Sequence, residues 1–364
     1  MSTPDASQEI PPASRANWKK LVANYRKPST PKAIIQIANT IVAYILIWIG
    51  MYFALKVSWW LVVPLMCIGG GLLIRVFIIF HDCGHGSYLK SRQSNDILGF
   101  ICGVLTFTPY MHWRWEHAVH HASSGDLDRR GIGDIWTMTL SEYLAAPKRT
   151  RILYRIARNP VVMFLIAPVL LLTIYQRFSA RNAKPRERRS VWFMNLAILL
   201  IYSGVAYLFG IWNYLIIQAG ISMIAGGAGV WLFYVQHQFE DVVWERKEGW
   251  EFAVAAMEGS SYYKLPPVLQ WFSGNIGFHH IHHLSPQIPN YHLQKCHESD
   301  PFFASVPPVT LKESWKTVRL KLWDEKNRRL VGFDAVRDPR SFRDTEERNV
   351  QEASDGARQS IVDA

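Results

Sequence analysis

The sequence predicts an all-α integral membrane protein: four transmembrane helices, further interfacial helices, and a cytoplasmic helical cap. Three observations carry this. Apolar residues make up 49% of the 364 positions, and they are gathered into runs separated by strongly polar blocks. Four of those runs are long enough to span, since about 20 helical residues cover a hydrocarbon core of roughly 30 Å. Three histidine clusters, His81/His85, His117/His120/His121 and His279/His282/His283, repeat a helical spacing beside the apolar runs.

The first span is read at residues 34–55 and the second at 58–80, joined by Lys56, Val57 and a Trp59–Trp60 pair suited to a tight hairpin with an interfacial aromatic belt. Arg75 stands about a turn and a half before His81 and is expected to snorkel to the near interface. The third and fourth spans are read at 191–209 and 212–235, joined at Gly210–Ile211. Two weaker stretches, 97–110 and 160–176, are read as interfacial or buried non-spanning helices. Parity demands this: if the three clusters serve one site, the crossings between them must be even in number.

Residues 1–33 are polar and basic, lack the apolar core of a cleavable signal peptide, and are read as a cytoplasmic segment. The main domain is placed at 34–310. An amphipathic helix lying on the membrane is expected at 311–335, from Leu311, Trp315, Val318 and Leu322, and a disordered tail at 336–364. Four cysteines without a CxxC argue against a disulfide framework. The net charge of +11 sits beside apolar runs and in short loops, which fits the cytoplasmic side of a membrane and excludes a nucleic-acid partner. The same charge suits anionic lipid headgroups or an acidic electron-transfer partner.

Residues three or four apart on a helix share a face, so each cluster can aim its imidazoles at one point. Eight imidazoles from three distant segments make a site for more than one transition-metal ion. His237, at the end of the fourth span and matched in depth to His81, is the ninth candidate. A zinc site uses about four ligands, and the Glu-x-x-His pairs of soluble di-iron bundles do not occur here. Two irons with four or five nitrogen ligands each fit the count and leave positions for O2. Such a centre can abstract hydrogen from an unactivated carbon. Asp82, Glu116, Asp126, Asp128, Glu240 and Asp241 are candidates to orient the imidazoles, and His280, pointing about 100° away from its neighbours, belongs to the surrounding shell. His112 is a reserve ligand; His292 and His297 are read as structural.

The boxes, their order, and the stretches WRWEHAVHHASSGDLDRRGIGDIWTMTLSEY (113–143) and VQHQFEDVVWERKEGW…GNIGFHHIHHLSPQIPNY (235–291) resemble the membrane fatty acid desaturases, in particular the bacterial acyl-lipid enzymes of the Δ12/ω6 and Δ5 type. The resemblance covers roughly residues 35–310. It implies iron ligation by His81, His85, His117, His120, His121, His237, His279, His282 and His283, a lipid-bound acyl chain as substrate, and insertion of a cis double bond with O2 as co-substrate. One departure stands out: acyl-CoA desaturases carry asparagine four residues before the histidine that ends the fourth span, and here that residue is Phe233. Gln236 or Gln238 is the candidate to replace its water-mediated contact. No His-Pro-Gly-Gly motif of a fused cytochrome b5 occurs, so a separate ferredoxin or cytochrome b5-like protein is the expected electron donor. The resemblance places the protein in a bacterial inner membrane, with both termini and the site cytoplasmic. Trp136, Trp231 and Trp271 are candidates for the floor of the acyl tunnel. The rivals are a hydroxylase on the same scaffold, acting on acyl chains, alkanes or carotenoids, and, more remotely, a metal transporter. The double-bond position, acyl carrier and oligomeric state are not legible.

Overall fold

The computed structural model describes residues 12–337; the tail expected at 336–364 lies almost wholly outside the described residues. Among the described residues, four helices are long and apolar enough to cross a membrane: Thr30–Leu55, Trp59–His85, Pro185–Phe209 and Ile211–His237. Each extends past the apolar run that announced it. At 1.5 Å per residue the second, 27 residues long, reaches about 40 Å, roughly 10 Å beyond the hydrocarbon core. Its last turns, carrying His81 and His85, therefore emerge from the lipid layer while remaining helical. Gly86 ends it in the left-handed conformation (φ 70°) that glycine adopts without steric cost, its N–H bonding back to the final turn. The fourth span likewise carries His237 as its last residue.

The hairpin between the first two spans is capped by Ser58, whose Oγ accepts from the Trp60 N–H at 3.2 Å. The second span packs about equally on the first span, the fourth span and the helix Arg92–Leu105. Glycine makes the approach to the fourth span possible, because a Cβ on Gly70 would lie 2.5 Å from Ile224 Cγ2. The third span is the most lipid-exposed and turns into the fourth through Gly210 alone, at φ 78°.

The stretches at 97–110 and 160–176 do not form lone spans. The first divides into a helix Arg92–Leu105, a turn at Phe107–Pro109, and the helix Tyr110–Ser123 that carries the second histidine cluster. The second belongs to a pair, Lys148–Ala157 and Val162–Arg177, bent by 61° at its break. Tyr154 on the first limb bonds the Lys321 carbonyl in the cap, and Tyr175 at the end of the second reaches Glu116 Oε1 at 3.4 Å. The pair thus touches the cap through its first limb and the helix Tyr110–Ser123 through the end of its second.

The cap is built from 252–333. Strand β1 (Met138–Thr139) runs parallel to β4 (Leu322–Asp324), which pairs antiparallel with β5 (Arg329–Val331); β2 (Tyr262–Lys264) runs parallel to β3 (Pro308–Thr310). This corrects the surface helix expected at 311–335. The helix there spans only Leu311–Thr317, opened by a capping box of Thr310 and Glu313. Beyond it Asp324 accepts from the Lys326 and Asn327 N–H groups and Arg328 adopts φ 50°, which folds the chain into a hairpin and buries Trp323. The apolar period was that of seven helical residues followed by two strands.

Arg75 does not snorkel. It is buried, with Nε donating to Thr40 Oγ1 at 3.0 Å, Nη1 to the Trp271 carbonyl, and its guanidinium 4.1 Å from the Trp271 ring. It ties a π-turn in the first span, Ala38–Val42, to the cap. All four cysteines are free.

Candidate metal centre

Nine imidazoles meet where the second and fourth spans end, and they do so as two nests. His81, His85, His117, His121 and His282 bring ring nitrogens within 4.8 Å of one another; His120, His237 and His283 do the same. His279 joins the second nest, its Nε2 lying 3.0 Å from that of His237 and 3.1 Å from that of His283. The expectation that each cluster aims at one point needs correction. On the helix Tyr110–Ser123, His117 and His121 face the first nest while His120 faces the second; on the short helix His279–Leu284, His279 and His283 face the second while His282 faces the first. Residues four apart lie about 40° apart around a helix and share a nest, whereas the member out of that step is rotated into the neighbouring one.

The donor set fits a cation in each nest. A neutral imidazole nitrogen carries one lone pair or one proton. His117 Nε2 faces those of His85 and His121 simultaneously, at 3.0 and 3.1 Å, which one proton cannot serve well. His120 Nδ1 is engaged by Asp134 at 2.6 Å, and its buried Nε2 has no hydrogen-bond partner. His81 Nδ1 meets Asp82 Oδ1 at 3.0 Å. In both, the carboxylate fixes the tautomer that turns the Nε2 lone pair inward. Burial first, and the neighbouring imidazoles next, push His117, His121, His279, His282 and His283 well below the usual histidine range, so these rings are neutral at physiological pH.

Asp82 is itself anchored: its Oδ2 accepts from Asn290 N–H at 2.7 Å and Asn290 Nδ2 at 2.8 Å, and Asn290 Oδ1 accepts from Gln36 Nε2 of the first span at 2.9 Å. Asp134 was not singled out from the sequence. It sits on a loop whose Gly131 N–H donates to its Oδ2 at 2.9 Å, and Gly133, at φ 77°, lets that loop pass so close that an added Cβ would lie 3.0 Å from His120 Cβ. The signal available was a carboxylate preceded by two glycines, Gly131 and Gly133, downstream of the second cluster. Trp113 was missed too, although its ring stacks on His117 at 4.4 Å.

The other candidates lie elsewhere. Glu116 turns to His112 (Oε2–Nδ1 3.5 Å) and Tyr175, and burial lifts its carboxyl to about 7. His112 accepts from the Ala180 N–H through Nε2 and is no ligand of either nest. Gln236 donates to the Ile276 carbonyl, and the Gln238 amide is shared between Thr137 and Arg158. His280 points away as expected, with Nε2 at the Phe303 carbonyl and its ring near His297 and Tyr262. His292 packs edge-on against Tyr291, outside the nests. Asp126 and Asp128 serve Arg129 and Arg246; Glu240 and Asp241 are exposed. Trp136 lies against Tyr154, Trp231 against Phe164 and Trp315, and Trp271 under Arg75.

Phe233 lies with its ring 5.2 Å from His120 and 5.0 Å from His237. It shares a small cavity beside the second nest with Ser124, Arg130, Asp134, Ile135 and Gln238.

Four apolar spans closed at one end by a cap over buried, neutral imidazoles define a class: helical membrane proteins with a histidine-lined metal centre. Residues 58–309 match the family model described as fatty acid desaturase. A fatty acid desaturase of Bacillus subtilis is 46% identical over 318 residues, covering 87% of this chain and 90% of its own length. The sn-1 oleoyl-lipid 12-desaturase of Synechocystis is 27% identical over 267 residues, 70% of each chain. The sn-1 acyl-lipid omega-3 desaturase (ferredoxin) of Nostoc is 26% identical over 261 residues, 69% of this chain and 71% of its own. The chain belongs to the fatty acid desaturase family and is an enzyme of that kind.

Proposed function

We propose that this enzyme inserts a cis double bond into acyl chains carried on membrane lipids, using O2, two iron ions and electrons from a separate ferredoxin or cytochrome b5-like carrier. It would do so in a bacterial plasma membrane, with both termini and the metal centre on the cytoplasmic side. The observation that carries the reading is the convergence of nine imidazoles into nests of five and four. His81, His85, His117, His121 and His282 would hold one iron; His120, His237, His279 and His283 the other. Bound iron supplies the reduction of O2 and the oxidising power to remove hydrogen from an unactivated C–H bond. The protein's part is orientation and exclusion. Asp82 and Asp134 hold the Nδ1 protons of His81 and His120, so both rings present lone pairs inward. Burial of the nests keeps bulk water from the oxidising centre, and the rings of Trp113 and Phe233 wall the imidazoles on either side. The acyl-lipid names of the cyanobacterial relatives support the substrate class, and the ferredoxin in one of those names supports the donor.

The test is the fatty acid profile of an aerobic host expressing the chain, with double bonds located by mass spectrometry. A new unsaturated acid, absent with His120→Ala, is the expected result. A hydroxy acid in its place would transfer the enzyme to hydroxylation.

A further inference from the structure

The centre is not equally covered on all sides. His120, His237, His279 and His283 are buried, whereas His85 and His117, at the edge of the five-histidine nest, are partly exposed. From His85 the chain runs into a basic surface with Tyr291 as its hub. The Tyr291 hydroxyl donates to the Tyr88 carbonyl at 2.9 Å and accepts from the Ser29 N–H at 3.0 Å, and the Lys32 ammonium lies 6.0 Å from the centre of its ring. His292 packs against the same ring. Burial first, then the ammonium groups of Lys32 and Lys295, press His292 down to about 4, so it stands neutral beside two cations. Lys90, two residues beyond Tyr88, and Lys295 are exposed. The carboxylates closest in sequence are committed elsewhere: Asp82 to Asn290, Asp96 to Arg114, and Glu298 to Gln294. The way inward is short. Asn290, next to Tyr291, donates its N–H to Asp82 Oδ2 at 2.7 Å, and Asp82 Oδ1 meets His81 Nδ1 at 3.0 Å. Two hydrogen bonds therefore link this surface to a nest imidazole, and electronic coupling decays less steeply through such bonds than across a gap.

We infer that this surface docks a small acidic one-electron carrier of the [2Fe–2S] ferredoxin kind, with Lys32, Lys90 and Lys295 as its recognition elements, and that electrons enter on the five-histidine side. Complementary charge speeds the encounter and sets its orientation. Each encounter oxidises the carrier by one electron and reduces the centre by one; two encounters supply the pair that one turnover consumes, and the protons for water come from solvent. A protein carrier fits better than a lipid headgroup because the cations gather beside the edge where nest imidazoles approach the surface. The inference rests on the nests holding iron and on the enzyme drawing its electrons from a separate carrier.

The experiment places the full-length, iron-loaded protein in nanodiscs of phosphatidylcholine, which carries no net charge, and measures binding of a plant-type [2Fe–2S] ferredoxin by surface plasmon resonance. Saturable binding is expected, weakened by added salt and weakened about ten-fold or more in the double variant Lys90→Glu/Lys295→Glu. The same reversal at Lys148 and Arg149, exposed on another helix, should leave it unchanged. In stopped flow the Lys90/Lys295 variant should be reduced more slowly by reduced ferredoxin and at the wild-type rate by dithionite. Equal ferredoxin affinity in the wild type and both double variants would overturn the docking surface and leave the metal reading intact. Selective retention of phosphatidylglycerol by the wild type in detergent, lost in Lys90→Glu/Lys295→Glu while ferredoxin binding is unchanged, would assign the patch to lipid and overturn it likewise. Binding is read without turnover, so a chain that takes up no iron sinks the metal reading while its ferredoxin affinity still decides the docking surface. Should the double variant fail to fold, Lys295→Gln alone should weaken binding about three-fold, and no change there would overturn the proposal.

Discussion

The five-histidine nest is fixed by long elements: two of its imidazoles ride the last turns of the second span, two a helix of 14 residues, and one the short helix of the cap. The four-histidine nest has one residue at a span's end, one on the back of the same 14-residue helix, and two on the six-residue helix His279–Leu284. Their carboxylate supports differ in the same sense. Asp82 is the next residue of the span itself and is tied through Asn290 to Gln36 of another span. Asp134 hangs on a glycine-containing loop. One side is tied by hydrogen bonds to two spans, and the other to a loop beside a small cavity.

Single substitutions should separate the two sides. The largest effect belongs to the ligands: His85→Ala and His237→Ala should each lower desaturation by more than about 100-fold, measured as product formed per chain in membranes. Next come the supports. Asp134→Asn and Asp82→Asn should each cost about 10–100-fold in metal affinity or activity, read by metal competition. Asp82→Asn should in addition lower the thermal midpoint, because it strands the buried Asn290 donors. Gly133→Ala should perturb the four-histidine side selectively. A side chain at φ 77° costs about 1–2 kcal/mol and presses on His120, so a several-fold loss of metal at that nest with the other unchanged is expected. Equal loss from both nests would break the comparison.

The smallest effect is one of pH. In the metal-free protein the imidazoles of His117, His121, His279, His282 and His283 are held by burial well below their unfolded value of about 6.5. Below that pH the unfolded chain binds protons that the folded one does not, so folded stability is full above it and falls as the medium is acidified. Thermal midpoints of the metal-free protein between pH 8 and 5.5 should decline on the acid side, and the iron-loaded protein should resist the decline. Midpoints that rise on acidification would show these rings to be charged when folded.

Much of this was legible because it is periodic. The spans follow from apolar length, and the nine histidines from spacing and from depth at the span ends. The division into nests was not, since it depends on how the helix Tyr110–Ser123 is rotated between its neighbours, a tertiary quantity. Asp134 was harder to find: two preceding glycines are its only local mark, and nothing in sequence pairs it with a ring 14 residues earlier. Glu116, adjacent to a ligand in sequence, was a false lead because adjacent helical residues diverge by about 100°. The stretch after Leu311 misled by a fortuitous helical period that a turn at Asp324–Arg328 interrupts.

The measurement that reaches the central claim most directly is iron analysis with Mössbauer spectroscopy on the ⁵⁷Fe-loaded protein, alongside His85→Ala and His237→Ala. Two irons per chain are predicted, in two unequal environments, with each variant losing a different one. A single iron per chain, or the same signal lost in both variants, would contradict the two-nest centre.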